Sequence, residues 1–194
     1  MSVPILVEKS SLKQEAENIA KELDILAILK KHGEARIVGS VELDLIVKLD
    51  LDIHVLLKKK LDLETNLFKI SKTLLDNDVI SEIRISDYRE KDSFKIGVDR
   101  FSGPSGDWSI DIWLTKSEEF AGFNKIEEIR NRITPKLKSL ILEIKEYYHN
   151  KGLLRNGLSN VIYDAVLFEQ ILTIGDFESY LADIGFFEST INQF

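Results

Sequence analysis

The sequence contains no cysteine, which excludes a disulfide framework and any thiolate metal site. Together with the plain polar start MSVPILVEKSS, that absence suits a reducing cytoplasm. No apolar run approaches the roughly 20 residues a membrane helix needs, so a membrane span is not expected. Positive charge is in short supply, with 26 Lys and Arg against 33 Asp and Glu and a formal net charge of −7. That balance speaks against extended nucleic-acid binding through a broad basic surface, and hence against a polymerase. It favours an enzyme acting on a small molecule or a compact partner. There is no internal repeat, no low-complexity tract and no linker rich in proline and serine.

What is present is enough for a real core: 194 residues, 44% of them hydrophobic, fit one compact domain or a domain with a helical extension. The stretch from Ala35 to Leu57 reads ARIVGSVELDLIVKLDLDIHVLL. It is read as a short strand, a Gly39-Ser40 turn, a helix-like segment and a second strand over Leu49 to Leu57. On a strand with its two-residue period, Asp50 and Asp52 point to one face, while Leu51, Ile53 and Val55 point to the other. Two adjacent carboxylates repel each other and lose hydration, a cost best relieved by a cation between them. Gly39-Ser40, opening what reads as a helix, offers backbone N–H groups and a hydroxyl to an anion such as a phosphate.

A third carboxylate stands in DWSIDIWL, Asp107 to Leu114. Trp108, Ile110, Ile112 and Leu114 alternate into the core, leaving Asp111 on the other face with Ser109 and Trp113. Elsewhere the chain reads as scaffold. Leu12, Ala16, Ile19, Ala20, Leu23 and Leu26 recur at helical spacing, with Gly33 as a stop. Asp62 caps a helix running to Leu75. Val79 to Tyr88, Phe94 to Phe101 and Trp108 to Thr115 read as strands, the last two joined by the turn in SGPSGD. A helix-linked strand pair followed by a hairpin suits a mixed sheet, and the right-handed crossover rule favours a parallel first pair. Past Ser117 the pattern is helical: Thr134-Pro135 opens one helix ending at Gly152, Ser159 caps a second through Ile171, and Gly175-Asp176 starts a third stopping near Gly185.

The Gly39-Ser40 pair, nine intervening residues, then Asp50-Leu51-Asp52 with strands on both sides resembles the signature of the DNA polymerase β-like nucleotidyltransferase superfamily. The resemblance spans about eighty residues, from Gly39 to Asp111, and implies an α/β (α+β) fold: a mixed β-sheet packed with helices, over residues 1–118, and a helical C-terminal subdomain over 119–194. It implies an enzyme, a nucleotidyltransferase that uses Mg²⁺ or Mn²⁺ and a nucleoside triphosphate. By analogy Asp50, Asp52 and Asp111 are the catalytic and metal-binding carboxylates, and Gly39 and Ser40 bind the triphosphate. Size and the helical C-terminal third look like the small bacterial lincosamide and aminoglycoside nucleotidyltransferases. The expected reaction is transfer of AMP from ATP to a hydroxyl of a small molecule, an antibiotic being one instance. Glu42 and Asp44 depart from the family's small or apolar residues there; turned toward the cleft, either would repel a triphosphate.

Three alternatives stand beside this reading: the same fold acting on a protein or RNA acceptor, as in toxin–antitoxin pairs; a catalytically silent nucleotide-binding domain; and a sugar-nucleotide transferase with a different Asp-x-Asp site, which leaves Gly39-Ser40 unexplained. His54 and Trp113 share the carboxylate faces of their strands. A hydrogen-bonded strand histidine and a packed tryptophan are their plainer readings. Lys95 and Asp99 are expected as a cross-strand pair, the Lys58-Lys59-Lys60 run as a solvated strand end, and Tyr163 and Asp164 as possible linings of an acceptor pocket.

Overall fold

The computed structural model describes residues 4–187, and side chains from residue 12 onward. The chain divides into two compact units, Met1–Ile126 and Glu127–Phe194, and the division falls within α6 (Phe123–Arg132). In the first unit a helical hairpin, α1 (Pro4–Glu22) and α2 (Ile25–Lys30), precedes β1 (Gly33–Val38). The single helix expected here is broken at Asp24, whose φ of 48° lies in the left-handed region that Asp tolerates better than most residues. The break turns Leu23, Ile25 and Leu29 into the core.

A one-turn helix, α3 (Gly39–Glu42), leads to β2 (Asp50–Leu57), and α4 (Leu63–Leu75) follows. The Asp62 side chain accepts a 2.7 Å bond from Thr65 N–H and caps α4 as expected. Then come β3 (Arg84–Tyr88), β4 (Ser93–Gly103), β5 (Gly106–Thr115) and the short α5 (Glu118–Ala121), whose Ala121 packs with Val38 and Phe123. The third strand is shorter than its composition suggests. Residues 79–83 stay outside the sheet, because Asn77 takes the local bonds, its side chain accepting from Val79 N and its carbonyl from Ile80 N.

The sheet order is β1-β2-β5-β4-β3, a mixed five-stranded sheet with helices. Only β2 and β5 run parallel. The strands that α4 links, β2 and β3, are not neighbours, since β5 and β4 lie between them, so the parallel first pair favoured above does not form; the β1–β2 pair is antiparallel. Its connection is too short for a crossover, which takes a dozen or more residues, and with a single helical turn the chain simply reverses. The alternation in β2 and β5 is as read: Leu51, Ile53, Val55, Trp108, Ile110, Ile112 and Leu114 are all fully buried in one core with α1, α2 and α4. The β4–β5 hairpin is pinned to α1 by Glu15, whose carboxylate accepts from Trp108 Nε1 at 2.8 Å and from Ser105 N and Oγ. These donors, set against burial, hold the Glu15 carboxyl below its ordinary range.

The second unit contains α7 (Pro135–Asn150), α8 (Leu158–Leu167) and α9 (Ile174–Asp183). Thr134 caps α7 by accepting from Leu137 N. Gly157, with φ 79°, precedes α8 in place of the expected Ser159 cap, and Thr173 rather than Gly175 caps α9 by accepting from Asp176 N. Tyr148 of α7 meets Phe177 of α9 edge to face at 5.5 Å. No helix among the described residues is long and apolar enough to cross a membrane.

Candidate active site

The site is built on the polar face of the sheet where β1, β2 and β5 meet. β1 ends at Val38, directly opposite Asp52 of β2, so the turn that follows closes over that carboxylate. Gly39 makes the turn with φ +64°, and a Cβ there would come within 2.9 Å of Asp52 Oδ2. Two independent constraints therefore require glycine: the left-handed backbone and the nearness of the carboxylate. Ser40 lies inside the helical turn and does not cap it. The cap position is Val38, which has no side-chain oxygen, and the Ser40 hydroxyl bonds to no described group. Asp44, at φ 54°, ends the turn, and Leu45 and Ile46 drop into the core before β2 begins.

β2 and β5 run parallel with Asp52 directly beside Asp111 and Asp50 beside Ser109. The pairing brings Asp50, Asp52 and Asp111 together: each offers a carboxylate oxygen, and the three oxygens lie within 4.8 Å of one another. Each of the three is half-buried. Two have a lysine partner. Lys48 Nζ donates to Asp50 Oδ2 at 3.1 Å and Lys95 Nζ to Asp111 Oδ2 at 2.9 Å. Asp52, in the centre, has none among the described residues, and Asp50 Oδ1 is buried without a partner. Burial first, then the neighbouring charges of Asp50 and Asp111, push the Asp52 carboxyl up to about 7, against the opposing pull of Lys48 and Lys95. A carboxylate in this position is poised for a cation, whose charge offsets both the burial and the neighbouring negative charges.

The structure places the remaining candidates more plainly. His54 donates from Nδ1 to the Ala121 carbonyl oxygen at 2.8 Å, and burial lowers its basicity. Trp113 packs among Tyr88, Phe120 and His54, with ring centroids 4.9, 5.4 and 6.2 Å away. Lys95 and Asp99 do not pair with each other. They lie four residues apart on one strand, too far to meet, and each pairs across to a neighbouring strand instead: Asp99 meets Arg84 of β3 at 3.0 Å and Lys95 reaches Asp111 of β5. Asp107 accepts from Ser102 at the hairpin end. Lys58, Lys59 and Lys60 are exposed at the far end of β2, as a solvated strand end should be. Tyr163 is buried within the second unit, its hydroxyl accepting from the buried Lys145 at 3.0 Å. The lysine partners of Asp50 and Asp111 were not legible in the sequence. Lys95 does alternate onto a strand face, but which strand lies beside it depends on the sheet order.

No family model matches the sequence, and no curated protein is significantly similar to it. Among solved structures, the chain is similar to a cytoplasmic RNA terminal U-transferase, with 20% identity and a TM-score of 0.58, covering 79% of this chain and 46% of that one. It is similar to the polymerase core of TRAMP, an RNA surveillance complex, at 22% identity and a TM-score of 0.54, covering 77% of this chain and 48% of that one. A third is the Cid1 poly(U) polymerase with Mg and 3′-dATP bound, at 17% identity and a TM-score of 0.53, with coverage of 77% and 48%. The chain thus spans about half the length of the structures it resembles. The likeness is one of fold.

Proposed function

We propose that this chain, which has the fold of the DNA polymerase β-like nucleotidyltransferases, is a metal-dependent nucleotidyltransferase. The observation that carries the reading is the convergence of Asp50, Asp52 and Asp111 within 4.8 Å, with Asp50 Oδ1 buried and unpartnered. The donor set fits Mg²⁺ or Mn²⁺: hard carboxylate oxygens only, crowded enough to repel one another, on rigid adjacent strands. Asp50 and Asp52 would hold the ion that accompanies the triphosphate, with Asp111 completing the site on the acceptor side. When bound, such an ion offsets the charge that builds on the phosphate oxygens.

The chain's own residues divide the rest of the work. Gly39, with no side chain, lets the triphosphate approach the backbone beside Asp52, and the Ser40 hydroxyl donates to a terminal phosphate. Asp111 orients the acceptor hydroxyl and takes its proton. The acceptor oxygen bonds to the α-phosphorus, the bond from that phosphorus to pyrophosphate breaks, and pyrophosphate leaves with the electron pair. The hydroxyl of a small molecule as acceptor suits the net charge of −7, and ATP is the donor in this reading. A second reading, the 3′ end of an RNA as acceptor and UTP as donor, is favoured by the similar folds of an RNA terminal U-transferase and a poly(U) polymerase.

Incubating the purified chain with α-labelled ATP or UTP and Mg²⁺ or Mn²⁺ separates these readings. The acceptor is supplied as an RNA oligomer or as the small-molecule fraction of a cell extract. Label on a small molecule supports the first, and label extending the RNA supports the second. Label on neither, with no pyrophosphate released and wild type indistinguishable from Asp50→Asn, removes the enzyme reading.

A further inference from the structure

We infer that Lys95 is a resident counter-cation of the third carboxylate: its ammonium holds Asp111 where a second divalent ion would otherwise bind, so the substrate-free site takes one ion. The inference rests on the metal-dependent reading above and deepens it.

The two lysines of the site are not alike. Lys48 lies in the loop before β2 with its side chain 53% exposed, and its 3.1 Å contact with Asp50 can open into water at small cost. Lys95 is the third residue of β4, opposite Trp113 of β5, and both it and Asp111 are only 18% exposed. Its ammonium stands 5.5 Å from the centre of the Trp113 ring and 2.9 Å from Asp111 Oδ2. The residue facing Asp111 on β4 is Gly97, so no side chain at that register position stands between Lys95 and the carboxylate. A Cβ at Gly97 would lie 3.5 Å from Asp111 Oδ1. Ring, strand and glycine together fix a lysine whose alternative, leaving Asp111 unpaired beside Asp52, strands a half-buried charge.

The consequence is an asymmetric metal site. Asp50 and Asp52 keep an orphaned oxygen and a centre without a cationic partner, whereas Asp111 has its charge compensated by the chain itself. A unit charge at this range changes a carboxylate's affinity for a proton by about ten- to a thousandfold. A divalent ion feels the same field with the same sign, so Lys95 weakens the acceptor-side position. An acceptor that displaces the ammonium, or hydrogen-bonds with it, then becomes the event that completes the site.

Counting bound Mn²⁺ by electron paramagnetic resonance on the full chain, without nucleotide, tests this. Wild type and Lys95→Arg should bind one ion per chain. Lys95→Met, which keeps length and loses charge, should bind a second or bind Mn²⁺ at least about tenfold more tightly. Adding Asp111→Asn to Lys95→Met should restore the wild-type count. Equal stoichiometry and affinity in wild type and Lys95→Met, or two ions in wild type, overturn the inference. Failure of both proteins to bind Mn²⁺ at millimolar concentration overturns the metal reading itself and the inference with it. If Lys95→Met does not fold, Lys95→Gln decides: it also loses the charge and should bind a second ion or bind Mn²⁺ at least about tenfold more tightly, and wild-type stoichiometry and affinity there refute the role.

Discussion

Replacing Asp52 by Asn should make the metal-free protein more stable at alkaline pH while removing its ability to hold an ion. Burial and the charges of Asp50 and Asp111 raise the Asp52 carboxyl from an ordinary 3.8 to about 7. The folded chain therefore holds that proton more tightly than the unfolded chain. Stability contributed by this group is fullest at low pH and is lost as pH climbs from about 4 to about 7. A displacement of this size corresponds to a penalty on the order of 4 kcal/mol once Asp52 is fully ionised. The near-isosteric amide carries no charge and avoids it. At pH 5 the variant should be the more stable by only ~1.5 kcal/mol; at pH 8 in EDTA it should be the more stable by up to ~4 kcal/mol. For a protein of this size, each kcal/mol corresponds to about 2–4 °C in Tm. The chain's two tryptophans, Trp108 and Trp113, both lie in the first unit, so fluorescence melts report on the unit that holds the site. Saturating Mg²⁺ should restore stability to wild type at pH 8 and leave the variant unmoved. If Asp52→Asn loses stability between pH 5 and 8 in parallel with wild type, or is the weaker protein at pH 8, the carboxylates are not under mutual strain and the electrostatic account is wrong.

Asp111→Asn should bind nucleoside triphosphate with Mg²⁺ within a few-fold of wild type in calorimetry, yet transfer at least about a hundred times more slowly in a turnover assay. Normal turnover would reassign the third carboxylate. Ser40→Ala should weaken triphosphate binding by roughly 1.5–3 kcal/mol, the loss of one hydrogen bond to a charged group; an unchanged Kd would leave that hydroxyl without a role. Gly39→Ala, forced into the left-handed region at φ +64° with its Cβ against Asp52 Oδ2, should lower stability by roughly 1–2 kcal/mol and weaken Mn²⁺ binding, both measurable on one preparation. Glu15→Ala leaves the Trp108 and Ser105 donors unmatched and should cost about 3 kcal/mol in urea unfolding, with no change in nucleotide affinity at the carboxylates on the other face of the sheet.

The strands that carry the site were legible because their side chains alternate strictly. Leu51, Ile53 and Val55 against Asp50 and Asp52, and Ile110 and Ile112 against Asp111, leave one choice of face. Helices α4 and α7 were legible from Asp62 and Thr134-Pro135, residues whose capping bonds are local. What depended on distant partners was not legible. The antiparallel β1–β2 pair follows from how tightly the chain turns after Gly39, and the pairing of Lys95 with Asp111 follows from a strand order that no local pattern encodes. Asp24 likewise looks like one more charge on a helix face until its backbone is seen to break the helix. Asp50, Asp52 and Asp111 could be named from the sequence, whereas the lysines that set their charge balance could not.

If the carboxylates and the Gly39-Ser40 turn form a divalent-metal site for a nucleoside triphosphate, calorimetric titration with and without metal will show it. At least one of ATP and UTP should bind wild type saturably in Mg²⁺, fail to bind in EDTA, and fail to bind Asp50→Asn under either condition. No binding of any of the four ribonucleoside triphosphates at millimolar concentration with Mg²⁺ or Mn²⁺, or binding that is indifferent to EDTA and to Asp50→Asn, would contradict it.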